Sequence, residues 1–177
     1  NVCAHDDVKV HPEITRLAVK NSTLDDYLNN NLNLTNGVNT KLPSDGGKFI
    51  IDWLKEGSTV EDDLNICRAS NHFHDPMNKK PWSTSGMSDE PLWADAICLF
   101  WKPFYSDFTW ATGFTDPAST PIPYTPGNNK SPNVWANART LYYNALTATT
   151  QTTRENNFAQ MFKALGQVMH LLQEGTT

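Results

Sequence analysis

Four of the chain's five histidines stand where an imidazole could reach a metal ion: His11, His72, His74 and His170. His170 and Glu174 are four residues apart in a run whose apolar residues recur at helical spacing, so both side chains share one helix face, one turn apart. The segment "HFHDP" sets His72 and His74 beside Asp75 in a stretch that reads as a loop. "EGSTVEDD" brings Glu61, Asp62 and Asp63 just after Gly57, and His11 opens "HPEIT". Imidazole and carboxylate donors in combination suit Zn²⁺. Each element also has an ordinary structural use. A His and a Glu one turn apart form surface pairs, an acidic run is a solvated charge cluster, Asp75-Pro76 makes a turn, and a His before Pro caps a helix. Their joint occurrence is what points to a metal.

The segments around these residues read mostly as helices. Helices are expected over approximately 12–19, 46–56, 89–101, 132–147 and 153–174, with a further one in "STLDDYLNNNL" behind a Ser/Thr cap. Pro12 fits a first helical position, with Ile14, Leu17 and Ala18 facing in. Phe49, Ile50, Trp53 and Leu54 form the next inward stripe, with Gly57 as its stop. Leu24, Tyr27 and Leu28 make another, and Trp135, Ala138, Leu141, Tyr142 and Ala145 the one after Pro132. Phe158, Met161, Phe162, Leu165 and Met169 line the last helix. Two irregular stretches, "ASNHFHDPMNKKPWSTSG" and "TGFTDPASTPIPYTPGNNK", separate them, and no strand pattern stands out. The expected class is all-α, one domain over residues 1–177 with long loops.

The composition narrows the function. With 177 residues, a net charge of −5 and no basic run, the chain lacks the electrostatic footprint of a duplex nucleic-acid binder. No run of 18 apolar residues is present, so no transmembrane helix is expected. A start at Asn1 without Met fits a processed, exported chain, secreted or periplasmic. Cys3, Cys67 and Cys98 allow one disulfide and leave a thiol over, or are three small buried residues. Asn21, Asn33 and Asn129 head glycosylation-type triplets, which an Asn-rich chain also yields by chance.

"NHFHDPMNKKPW" and "LGQVMHLLQE", in this order, resemble signature segments of the zinc-dependent phospholipase C superfamily, which includes the zinc single-strand nucleases. "HPEIT", "WLKEGSTVEDD" and "ANARTLYYNAL" followed by "TRENNFAQMFKALGQVMH" fit the same order, so the resemblance spans nearly the whole chain. It implies a multi-helix bundle around clustered zinc ions, up to three, that hydrolyse phosphodiesters. Position by position, His11 resembles the early ligand that shares a zinc with the chain's N-terminus. Asp62 resembles the acidic ligand that also orients or deprotonates the attacking water, with Glu61 or Asp63 in its place if the register shifts. His72 and His170 resemble the next ligands, and Glu174 the carboxylate that bridges two metals. Asp62, His72, His170 and Glu174 would complete one four-ligand site.

Three positions depart from that pattern. Asn1 stands where the family's best-known members have Trp, Glu174 replaces an Asp, and the sequence stops at Thr177 before two further histidines and an acidic ligand. The resemblance therefore implies the N-terminal portion of a larger phospholipase C-like domain, a fragment or subunit of a zinc phosphodiesterase. Its expected partners are its own C-terminal part or copies of itself, drawn to apolar surface on the last helix, and a phospholipid or other phosphodiester substrate. On its own such a chain should fall short of its family's turnover. The alternative is a non-catalytic structural or interaction protein, possibly self-assembling, on the same scaffold.

Overall fold

A computed structural model describes residues 9–63, 74–75, 80–81, 107–112 and 134–175. The described residues are mostly helical, as expected. They form α1 (Val10–Lys20), α2 (Leu24–Leu32), α3 (Ile50–Asp63), α4 (Asp107–Thr112), α5 (Val134–Thr147) and α6 (Gln151–Glu174). Two short antiparallel ladders accompany them, β1 (Lys41–Leu42) with β2 (Lys48–Phe49), and β3 (His74–Asp75) with β4 (Lys80–Pro81). Neither was visible in the sequence, because two residues per strand are too few to show alternation. The expected helix 89–101 lies outside the described residues. None of the described helices is long and apolar enough to cross a membrane.

Local signals fix most helix ends. Thr150 caps α6, its hydroxyl accepting from the Thr153 amide at 3.2 Å. Ser22 rather than Thr23 serves α2, accepting from the Leu24 amide at 3.2 Å, and Asn33 ends that helix in the left-handed region at φ 56°.

Helix α3 differs most from expectation. It starts at Ile50 rather than 46 and runs through Gly57 to Asp63, so Glu61, Asp62 and Asp63 belong to its last turns rather than to a following loop. Gly57 is a contact point, not a stop. A Cβ there would lie 2.0 Å from the Lys163 carbonyl oxygen, and one on Gly166 would lie 2.0 Å from the Leu54 carbonyl oxygen. Both glycines are needed for the backbones of α3 and α6 to touch, with their Cα atoms facing each other across the crossing.

Helix α6 packs along both α3 and α5, and α1 lies against α3 and α6. One apolar cluster joins α2, α3 and the first half of α6 through Leu28, Ile50, Trp53, Leu54, Phe158 and Phe162. A second joins α4, α5 and the C-terminal half of α6 through Trp110, Val134, Ala138, Ala164 and Leu171. The apolar stripe of α6 is thus covered within the chain: Phe158, Met161 and Phe162 are buried and Leu165 and Met169 partly so. Several residues expected inside are not. Phe49, Tyr27 and Trp135 are exposed, and on α1 Ile14 and Leu17 are each 43% exposed. Helix α1 instead buries His11, Pro12, Thr15 and Val19. Its polar His11 and Thr15 face the protein alongside Pro12 and Val19.

Candidate metal centre

That inversion of α1 builds the site. His11 and Thr15, one turn apart, press against the C-terminal turns of α6, where Gln167, His170, Gln173 and Glu174 recur at helical spacing. From the other side α3 contributes Ser58 and Glu61, brought close by the Gly57–Gly166 contact. His11, Thr15, Ser58, Glu61 and His170 are all buried. A buried polar seam of this length stands only if its members satisfy one another.

The hydrogen bonds show how. His170 Nδ1 lies 2.7 Å from the Ser58 carbonyl oxygen. A carbonyl only accepts, so Nδ1 carries the proton and Nε2 is the nitrogen suited to a metal. The two imidazoles lie side by side, ring centroids 4.1 Å apart and tilted by 36°. His11 Nε2 is 2.8 Å from Glu174 Oε1, and its Nδ1 is 2.7 Å from Gln173 Oε1. Deeper in, Glu61 accepts from Trp110 Nε1–H and from the Gln167 side-chain amide, each at 2.8 Å.

His11, His170 and Glu174 each offer a ligand atom, all within 4.8 Å of one another, and could together hold a metal ion. Ligand atoms about 2.0–2.2 Å from one ion cannot lie more than about 4.4 Å apart, so shifts of a few tenths of an ångström close the set. Two imidazoles and a carboxylate suit zinc and other divalent transition ions. With the Ser58 carbonyl holding His170 Nδ1 and the Gln173 side chain holding His11 Nδ1, both rings are oriented before any ion arrives.

Of the residues named from sequence, His11, His170 and Glu174 meet here. Asp62 stands on α3 one helical turn beyond Ser58, with its side chain outside the described residues, as is the side chain of His74 in β3. His72 lies outside them altogether. Glu61, named only as a shifted-register alternative to Asp62, is buried beside the cluster. Sequence reasoning missed Thr15, Ser58, Trp110, Gln167 and Gln173. The polar spacings His11/Thr15 and Gln167/His170/Gln173 were a signal for three of them, hidden because only apolar stripes were traced as inward faces.

Two lysines outside the seam help hold α3 to α6 and β2. Lys163 Nζ reaches Glu56 at 2.9 Å and Lys48 pairs with the same carboxylate. Partial burial alone would push the Glu56 carboxyl up, but the two lysine hydrogen bonds outweigh it and hold it below the usual glutamate range.

The chain matches no family model, no curated protein and no solved structure.

Proposed function

We propose that the chain carries metal ligands of a zinc-dependent phosphodiesterase of the phospholipase C type. The observation that carries this is the convergence of His11, His170 and Glu174, named from the resemblance and drawn from opposite ends of the chain. Glu174 touches His11 while belonging to the same cluster as His170, which fits the bridging role the resemblance implies. Asp62 and His72 would complete the ligand set, Asp62 also orienting the attacking water.

A zinc ion held there supplies Lewis acidity to a phosphodiester oxygen. The chain's own residues do the rest. The Ser58 carbonyl fixes His170 by accepting its Nδ1 proton. Glu61, accepting from Trp110 and Gln167, is held beside the site without spending a ligand position. The close α3–α6 contact brings the Ser58 carbonyl to His170.

The alternative, a non-catalytic interaction protein on this scaffold, is favoured by an apolar groove of about 160 Å³ between α2 and α5, edged by Leu24, Tyr27, Trp135 and Tyr142. One assay separates the two. The full product of the gene is incubated with Zn²⁺ on a chromogenic phosphocholine ester and on single-stranded DNA. Turnover that chelation and His170→Ala both abolish is expected. A zinc-saturated full product that leaves both substrates intact favours the interaction protein.

A further inference from the structure

The hydrogen-bond order around His11 says more than that it is near a carboxylate. Two consecutive residues of α6 grip opposite edges of one imidazole: Gln173 holds Nδ1 at 2.7 Å and Glu174 faces Nε2 at 2.8 Å. Consecutive helical positions diverge by about 100°, so the ring of α1 is inserted between them. The Gln173 amide is itself oriented. Its Nε2–H donates to Thr15 Oγ1 at 3.0 Å, and Thr15 is fully buried on α1 one turn beyond His11. With the amide nitrogen turned to Thr15, the atom facing His11 is the amide oxygen, which can only accept. A proton therefore sits on Nδ1, and Nε2 is the ring nitrogen that faces the Glu174 carboxylate. A cation holds that pair together, a proton on Nε2 in the metal-free chain and a metal ion where one displaces it.

We propose that Thr15 and Gln173 are positioning residues for the metal: together they lock His11 in the Nδ1–H tautomer and aim Nε2 at the ion shared with Glu174. This rests on the metal-site reading above. It assigns work to a threonine and a glutamine that touch no metal, and it explains why α1 turns His11 and Thr15 inward while leaving Ile14 and Leu17 in solvent. The device links the two helices that carry the ligands, so the ligand geometry is set by α1–α6 docking rather than by the ion.

The test uses the full chain with Gln173→Leu, Gln173→Glu and Thr15→Val variants. Co²⁺ affinity is read from its visible absorption, and the His11 tautomer from imidazole ¹⁵N shifts of the Zn²⁺ form. Gln173→Leu should weaken Co²⁺ binding by about 10–100-fold and erase the ¹⁵N signature of a hydrogen-bonded Nδ1–H. Gln173→Glu, which keeps an acceptor at Nδ1, should preserve both, and Thr15→Val should fall between. A merely structural role would treat Leu and Glu alike or follow the unfolding midpoint. If the unaltered chain binds no Co²⁺, the metal reading fails and this inference with it. If it binds, but Gln173→Leu binds as tightly with an unchanged His11 spectrum, the lock is refuted while the metal reading stands.

Discussion

Glu61 is the residue whose surroundings say most about the seam. A carboxylate with no exposure costs several kcal/mol to desolvate unless donors replace its water, and Trp110 and Gln167 each supply one to it. Trp110→Phe keeps most of the ring volume and removes one donor. It should destabilise the chain by about 1–3 kcal/mol in denaturant unfolding. A loss no larger than that of an ordinary buried Trp-to-Phe exchange at a site without a hydrogen bond would show that the indole bond is not what keeps Glu61 buried. At this scale His11, His170 and Glu174, which converge, were legible in the sequence as candidates, because histidines are few and His170–Glu174 spacing is a helix-face signature, while His72 and the Asp62 side chain lie outside the described residues. Their supports were not. Trp110 is 49 positions from Glu61 and Gln173 is 162 from His11, so no local pattern announces either partnership.

Among the elements, the crossing of α3 and α6 sets the register of the site. The contact puts Ser58, one position past Gly57, within reach of His170, four positions past Gly166. Gly57→Ala or Gly166→Ala gains up to about 1 kcal/mol of helix propensity. The Cβ of either would clash with backbone at 2.0 Å, which the helix cannot absorb by a side-chain turn. Forcing the helices apart should cost about 1–3 kcal/mol or more, so the net effect is destabilising. It should also weaken metal binding by lengthening the Ser58–His170 bond, checked by thermal unfolding and by Co²⁺ titration of the same variants. Unchanged stability in both alanine variants would mean the helices do not touch at the glycines. Glycine after an apolar stripe commonly marks a helix end, and that local rule placed the expected stop at Gly57. The tertiary contact overrode it. Likewise the stripe of Ile14, Leu17 and Ala18 on α1 was the apolar choice, yet His11 and Thr15 went inside because partners on α6 satisfy them.

For the molecule as a whole, periodicity was enough to find the helical class and, to within a few residues, α1, α5 and α6. Long amphipathic segments with caps are what sequence shows best, and two-residue ladders are what it shows least. The site is assembled by the packing of three helices from distant parts of the chain. Its candidate ligands can therefore be named in advance, but the seam that holds them emerges only with the fold. Pairs such as Lys163–Glu56 trim the α3–α6 docking from the exposed side and, being partly solvated, contribute less than about 1 kcal/mol each. The claim on which the rest depends is that His11, His170 and Glu174 hold one divalent ion together. Equilibrium dialysis of the chain against Zn²⁺, beside His11→Ala, His170→Ala and Glu174→Ala variants shown to be folded, measures it directly. Tight binding by the unaltered chain, with one ion lost or its affinity sharply reduced in every variant, is the predicted result. Zinc uptake unchanged by all three substitutions would contradict it.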